Sequence, residues 1–103
     1  MNRQIFEEIQ TLKRQILPNE KVILFGSQAR GDAREDSDWD LLLIVNSDST
    51  NLDDEIKYSY PFTKLGWEHN IDLNVLLYSE NEWEKRYFMP FYKNVVKDGI
   101  EIN

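Results

Sequence analysis

The feature that most limits how this chain can fold is an almost continuous apolar segment near its middle. Residues 39–45 read Trp-Asp-Leu-Leu-Leu-Ile-Val, in which Asp40 is the single polar side chain. Apolar runs of this length are typical of a strand that is covered on both faces. A second run, residues 22–25, reads Val-Ile-Leu-Phe and ends at Gly26. We therefore predict a sheet in which both segments are buried strands.

Helical patterns precede and separate these strands. Residues 52–68 predict a helix that is interrupted near Tyr60, because Pro61 lacks the N–H that a continuing helix would use. Residues 71–78 predict a third strand, followed by two short helices. This order of elements predicts an α/β (α+β) fold, a small mixed β-sheet covered by helices, in a single domain of residues 1–103. An N-terminal helix is indicated by apolar residues at helical spacing, namely Ile5, Ile9, Leu12 and Ile16.

Two carboxylates stand at the start of the central segment. Asp38 and Asp40 are two residues apart, so their side chains point to the same side of the predicted sheet. Asp40 shares that side with Leu42 and Ile44, where an uncompensated charge is costly. Two like charges that converge on one point call for a cation, and Mg²⁺ held by carboxylates and substrate phosphates is a common arrangement. A solvated loop would explain Asp38 but not Asp40.

The turn after residues 22–25 has the composition of a phosphate-binding turn. Gly26 lets the backbone approach a ligand closely, and N–H groups at the start of a following helix attract phosphate. Ser27 adds a hydroxyl, and Arg30 adds a guanidinium whose geometry suits phosphate oxygens. Taken alone, a Gly-Ser pair after a strand is more often a simple turn. The carboxylates of the next strand, Asp38 and Asp40, favour the interpretation of Gly26 and Ser27 as a phosphate-binding turn.

The predicted third strand repeats the unusual placement of polar side chains. Asp72 and Asn74 share one face with Leu76, while the opposite face is apolar. If this strand lies beside the second, one of its polar residues approaches Asp38 and Asp40. A third carboxylate there would take the proton of an attacking hydroxyl while two metal ions hold the phosphates.

The two polar segments together resemble a known signature. Residues 26–31, Gly-Ser-Gln-Ala-Arg-Gly, and residues 37–41, Ser-Asp-Trp-Asp-Leu, are similar to the G-S-x-x-R-G…S-D-x-D-L pattern of the polymerase β-like nucleotidyltransferases. Within that superfamily the chain most resembles the minimal nucleotidyltransferase (MNT) domains. The resemblance is nearly complete over residues 24–45 and continues more loosely to residue 95.

This resemblance implies a fold and a set of site residues. The fold would be the mixed sheet of the polymerase β-like nucleotidyltransferases. Asp38 and Asp40 would be ligands of Mg²⁺, with two ions in the complete site. Gly26, Ser27 and Arg30 would lie at the triphosphate of ATP or another nucleoside triphosphate.

One position departs from the family pattern. MNT domains commonly have their third carboxylate where this chain has Asn74, and the nearest acid, Asp72, lies two residues earlier on the same face. An amide neither acts as a base nor neutralises a metal ion. We predict that Asp72, rather than Asn74, is the third-strand residue nearest the pair, through a shifted register or a bulge. Asp72 would then be the third metal ligand and the catalytic base.

The resemblance also implies a reaction and a partner. The reaction is transfer of a nucleoside monophosphate, AMP from ATP, to a hydroxyl group with release of pyrophosphate. Larger members of the superfamily carry extra domains for the acceptor, so we expect an acceptor in another protein, such as the helical HEPN-type toxin of a toxin–antitoxin pair. The alternative, which Asn74 favours, is a non-catalytic antitoxin-like module that binds a nucleotide or a partner.

Charge and hydropathy limit the classes of partner that this chain can have. The chain has 19 acidic and 12 basic residues and a net charge of −7, which argues against a nucleic acid partner. No apolar run approaches the roughly 18 residues of a membrane-spanning segment. There is no cysteine, so neither disulfides nor thiolate metal sites occur. We expect a cytoplasmic protein without membrane contact.

Overall fold

A four-stranded mixed sheet forms the centre of the computed structural model, which describes residues 1–103. Its strands are β1 (Lys21–Phe25), β2 (Trp39–Val45), β3 (Leu73–Ser79) and β4 (Ile100–Glu101), in the order β3-β2-β1-β4. Strand β1 is antiparallel to both of its neighbours, whereas β2 and β3 are parallel. The predicted mixed sheet is confirmed.

The two faces of β2 contact separate apolar layers, as its sequence predicts. Leu41 and Leu43 belong to the larger core, which also contains Ile5 and Phe62. Leu42 belongs to a smaller cluster on the other face. All three leucines of β2 are fully buried, so the strand is fixed in the middle of the molecule.

The larger core is covered by the N-terminal helix and by the helical region before β3. Helix α1 (Arg3–Ile16) begins where the side chain of Asn2 accepts the N–H of Ile5 at 3.2 Å. The later region comprises α3 (Leu52–Asp54), a π-helical segment (Glu55–Ser59) and α4 (Tyr60–Glu68). The predicted interruption near Tyr60 is confirmed, since Pro61 at the start of α4 has no N–H to donate to the preceding turn.

Three shorter helices complete the fold. Helix α2 (Ser27–Arg30) follows β1 directly, and α5 (Glu80–Glu84) and α6 (Pro90–Asp98) follow β3 and cover the smaller cluster. The two-residue strand β4 was not predicted, because so short a segment shows no periodicity. None of the helices combines the length and apolar character that a membrane-spanning segment requires.

Candidate active site

The polar residues singled out in the sequence lie at one edge of the sheet. Because β1 runs antiparallel to β2, the end of β1 lies beside the start of β2, and Phe25 pairs with Asp40. Because β2 and β3 are parallel, their starts lie side by side, and Asp40 pairs with Asn74. The topology therefore brings the turn after β1 and the first residues of two strands together.

Asp38 and Asp40 converge on a single nitrogen atom. The Nδ2 of Asn74 lies 3.2 Å from Oδ2 of Asp38 and 3.1 Å from Oδ1 of Asp40. Both carboxylates therefore point to the same side of the sheet and lie close to each other, as their spacing predicts. Asp38 is exposed and Asp40 is half-buried, so this cluster faces an open surface.

The expectation that Asp72 is the third-strand residue nearest the pair is wrong. The register pairs Asn74 with Asp40 and shows no shift that would bring Asp72 forward. Asp72 precedes β3, and its contribution to β2 comes from its backbone, whose carbonyl accepts the N–H of Trp39 at 2.9 Å. No three His, Cys, Asp or Glu side chains are grouped closely enough to hold a metal ion. The expectation fails because the register is regular and places Asn74 opposite Asp40. Asp72 lies two residues earlier on the same face, roughly 6.5–7 Å from Asn74 along the strand, and an Asp side chain does not reach Asp40 over that distance.

Gly26 occupies a position that no other residue could take without a shift. Its φ of 75° and ψ of −157° lie in a region open only to glycine. A Cβ atom added here would overlap Oδ2 of Asp40, so only glycine lets this carboxylate lie against the backbone of the turn. The N–H groups of Ser27 and Gln28, which follow in the first turn of α2, have no acceptor within that helix.

Gln28 fastens the loop that leads to the carboxylates, a role that the sequence reasoning missed. Its side chain is 5% exposed, and its Nε2 donates to the carbonyl of Ser37 at 3.2 Å. The hydroxyl of Ser37 in turn accepts the N–H of Arg34 at 2.7 Å. The available signal was a polar residue within the first half of the signature, followed by an apolar Ala29. These bonds fix the residue immediately before Asp38.

Arg30 lies at the far end of α2 from Gly26. Its Nε is 3.2 Å from Oδ2 of Asp32, in an ion pair that solvent reaches. Both Arg30 and Gly26 line a cavity of about 220 Å³, whose far wall includes Asn94 and Asp98 of α6. The guanidinium is therefore close to the turn but engaged with a neighbouring carboxylate.

Asp72 belongs to a different part of the surface. It borders the largest cavity, of about 670 Å³, on the flank of the strand starts that faces α1. Asn2, Gln28, Arg34 and Trp39 line the same cavity. Neither Asp38 nor Asp40 lines this cavity.

The donor set of the site suits a hard divalent cation. Asp38 and Asp40 supply two charged oxygen ligands on one side of the sheet, and the backbone of Gly26, which has no side chain, lies directly against the carboxylate of Asp40. Mg²⁺ is usually bound by one or two carboxylates together with substrate phosphates. The residues therefore fit an ion that is shared between the protein and a nucleotide.

Comparisons with known proteins identify relatives of this chain. The family model described as "Nucleotidyltransferase domain" matches residues 3–103. Two Methanocaldococcus jannaschii proteins that bear the name protein adenylyltransferase are similar in sequence. MJ0604 is 35% identical over 79 residues, which are 77% of this chain and 73% of that protein. MJ0141 is 31% identical over 83 residues, which are 81% of this chain and 78% of that protein.

Solved structures show the same fold at low sequence identity. A toxin–antitoxin crystallised with AMP-PNP superposes with a TM-score of 0.68 at 20% identity and covers all of this chain and 73% of its own. A nucleotidyltransferase of Sulfolobus solfataricus superposes with a TM-score of 0.59 at 23% identity, over 95% of this chain and 78% of that one. Since the family model spans almost the whole sequence, the chain belongs to the nucleotidyltransferase family and is a transferase.

Proposed function

We propose that this nucleotidyltransferase transfers AMP from ATP, in the presence of Mg²⁺, to a hydroxyl group of a partner protein. The observation that carries the proposal is the convergence of Asp38 and Asp40 beside the bare backbone of Gly26. This arrangement offers two charged ligands for a cation beside the first backbone N–H groups of α2, which attract phosphate. The names of the two relatives, both protein adenylyltransferases, support AMP as the group and protein as the acceptor.

The reaction balances as a substitution at the α-phosphorus of ATP. The acceptor oxygen forms a bond to that phosphorus, the bond to the oxygen bridging to the β-phosphorus breaks, and pyrophosphate leaves with the bond electrons. The acceptor hydroxyl loses its proton to solvent or to a phosphate oxygen. Bound Mg²⁺ would neutralise charge on the phosphates during the transfer.

The residues of the chain would position the nucleotide. Asp38 and Asp40 would hold the metal-bound phosphates over the start of β2. The N–H and hydroxyl of Ser27 would donate to the outer phosphates, with Gly26 allowing their close approach. Arg30 would reach the same phosphates by exchanging its contact with Asp32 for them, since an Arg–phosphate pair is bidentate and charge-assisted.

A protein acceptor is further supported by an exposed apolar face outside the site. Along the helical region 52–68, large apolar side chains recur on the side turned away from the core. The rings of Tyr60 and Trp67 contact each other edge to face at 5.9 Å, although both residues are exposed. The exposed residues are Leu52 at 74%, Ile56 at 59%, Tyr60 at 48% and Trp67 at 63%.

Such a stripe suits an amphipathic helix of another protein. We propose a helical HEPN-type toxin as the partner, because the solved structures of the same fold include toxin–antitoxin proteins. The net charge of −7 makes a nucleic acid acceptor a poor fit.

A second candidate function is binding without transfer. The observation that favours it is Asn74, whose amide occupies the third-strand position beside the carboxylates. In that case the chain would hold a nucleotide or the partner, in the manner of an antitoxin, and would leave the partner unmodified.

The test combines ATP labelled at the α-phosphate, Mg²⁺ and a helical HEPN-type protein. Transfer predicts label on the partner, pyrophosphate in solution and an adenylyl group on one hydroxyl by mass spectrometry. ATP labelled at the γ-phosphate is the matched control and should leave the partner unlabelled. A stable complex that never acquires the α-label would support the binding function instead.

A further inference from the structure

Asn74 lies at the centre of the candidate site and contacts both of its carboxylates. In the parallel register it lies directly beside Asp40, and its single Nδ2 atom bridges Asp38 and Asp40. No other side chain donates a hydrogen bond to both carboxylates. The state of this amide therefore bears on any cation that the pair receives.

The chemistry of the three groups fixes which end of the amide faces the pair. Ionised carboxylates only accept hydrogen bonds, so the NH₂ end of Asn74 must point towards them and its carbonyl oxygen away. An amide is neutral, so the cluster carries two negative charges where a third carboxylate would give three. Its NH₂ group also occupies space between the two oxygens that a cation would need.

The two ions of a two-metal nucleotidyl transfer site do not depend on the protein equally. The ion on the leaving side obtains ligands from the phosphates of the nucleotide, whereas the ion on the attacking side relies more on protein carboxylates. Loss of one carboxylate therefore weakens the attacking-side ion most. Asp72 does not replace the missing ligand, since it forms no group with Asp38 and Asp40 that could hold a metal ion.

We infer that Asn74 limits this site to one divalent ion, the one that arrives with the nucleotide, and that Asn74→Asp would create a second metal site. The inference rests on the proposed nucleotide-binding function of Asp38 and Asp40. It makes Asn74 a specificity-determining residue for metal content. It also sets this chain apart from the two-ion site that the family resemblance implies.

The experiment counts the divalent ions that are bound per chain. Wild type and Asn74→Asp are titrated with Mn²⁺ in the presence of one equivalent of α,β-methylene-ATP, in which a CH₂ group replaces the oxygen between the α- and β-phosphorus atoms. Excess nucleotide is avoided because it binds Mn²⁺ itself. Loss of the electron paramagnetic resonance signal of free Mn²⁺ reports bound ions. We expect one bound Mn²⁺ per chain in wild type and two in Asn74→Asp. Asp72→Asn is the matched control and should still bind one.

A second measurement uses no nucleotide. Asn74→Asp should have a lower melting temperature than wild type in a metal chelator, because three carboxylates then repel one another. Addition of Mg²⁺ alone should raise its melting temperature more than that of wild type, because a ligand stabilises the state that binds it. Equal responses of the two proteins to Mg²⁺ would contradict the inference.

The outcomes separate the inference from the function on which it rests. Two Mn²⁺ ions bound to wild type would overturn the inference and leave the proposed function intact. Failure of wild type to bind the nucleotide analogue would overturn both. If Asn74→Asp does not fold even with Mg²⁺, the count in wild type decides alone, with one ion supporting the inference and two refuting it.

Discussion

The two ends of the parallel pair β2–β3 both carry acidic groups, and they use them differently. At the far end, Glu82 accepts the N–H of Ser79 at 2.9 Å and the hydroxyl of Thr50 at 3.0 Å. Ser79 is completely buried, and its hydroxyl donates to the carbonyl of Asp48 and accepts the N–H of Glu82. At the near end, Asp38 and Asp40 share one amide donor, from Asn74.

Glu82 is an acidic residue that stabilises the fold, whereas Asp38 and Asp40 are acidic residues that are open to a ligand. The backbone N–H of Ser79, aided by Thr50, holds the pKa of Glu82 below its ordinary value, so the fold itself stabilises this charge. Asp38 and Asp40 receive too few donors from the fold to satisfy two carboxylates. A site that leaves charged oxygens open to solvent on one side has the capacity to bind a cation. The comparison therefore predicts that changes at the near end cost activity and that changes at the far end cost stability.

The largest effect is expected from Asp40→Asn. Removal of one of two charged metal ligands should lower the rate of AMP transfer on the order of 10²–10³-fold, because metal coordination contributes several kcal/mol to the transition state. The melting temperature should not fall, since repulsion with Asp38 is relieved. Asp36→Asn, an exposed acid of the same loop, is the control and should keep full activity. A fully active Asp40→Asn would remove the near end from the active site.

The second effect compares two glycines that both have positive φ. Gly26→Ala places a methyl group against Asp40, in a backbone region open only to glycine, and should cost about 1–3 kcal/mol of stability as well as nucleotide binding. Gly31→Ala meets no atom within 4 Å and should cost about 1–2 kcal/mol through its left-handed backbone alone. Chemical denaturation measures the loss of stability, and calorimetry with ATP measures the loss of nucleotide binding. Loss of ATP binding in both variants would show that stability, not contact with Asp40, is responsible.

Much of this comparison was accessible from the sequence. The continuous apolar run 39–45 identified a buried strand, and the two-residue spacing of Asp38 and Asp40 required both to project to one side. The capping box of Ser79 and Glu82 that begins α5 is likewise a motif of neighbouring residues that the sequence displays. Each of these features depends on residues a few positions apart.

The error concerned a feature that is not local. Whether Asp72 or Asn74 faces Asp40 depends on the register between β2 and β3, which are separated by more than 25 residues of helix and turn. Periodicity assigns residues to a face but does not fix register. A third carboxylate in the site would require β3 to shift against β2 so that Asp72 lies beside the pair. The structure keeps the regular register and places an amide there. The hydrogen bond from the side chain of Gln28 to the carbonyl of Ser37 could not be predicted either, because periodicity does not report tertiary contacts.

A moderate effect on stability is expected from Glu82→Gln. This change removes one acceptor of the capping box and should cost about 1 kcal/mol at pH 7. Because the folded-state pKa of Glu82 is lowered from its ordinary value of 4.5, the charge stabilises the fold above that value, and this contribution is lost as the pH falls through the lowered pKa. The difference between wild type and variant should therefore be full at neutral pH and shrink below about pH 4.5.

The control for that prediction is Glu80→Gln, which removes an exposed acid from the first turn of the same helix. It should have a much smaller effect, since the helix dipole term for an exposed group is about 0.3–1 kcal/mol and is screened by salt. Urea denaturation at several pH values measures both variants. A difference between wild type and Glu82→Gln that stays constant down to pH 3 would show that the charge of Glu82 is not what the far end uses.

The smallest effect is expected from Asp72→Asn, and it tests the register most directly. Asp72 lines a cavity on the α1 flank that neither Asp38 nor Asp40 lines, whereas Asn74 donates hydrogen bonds to both carboxylates. Charges that interact across exposed, solvent-filled space are weak and screened by salt, so the rate of AMP transfer should change by no more than about twofold. Asn74→Ala, on the same strand face, should change it more, because the bridge between the two carboxylates is then lost. A fall of about 10²-fold in Asp72→Asn is the size expected for loss of a general base. That result, with Asn74→Ala fully active, would mean that β3 shifts against β2 when substrate binds.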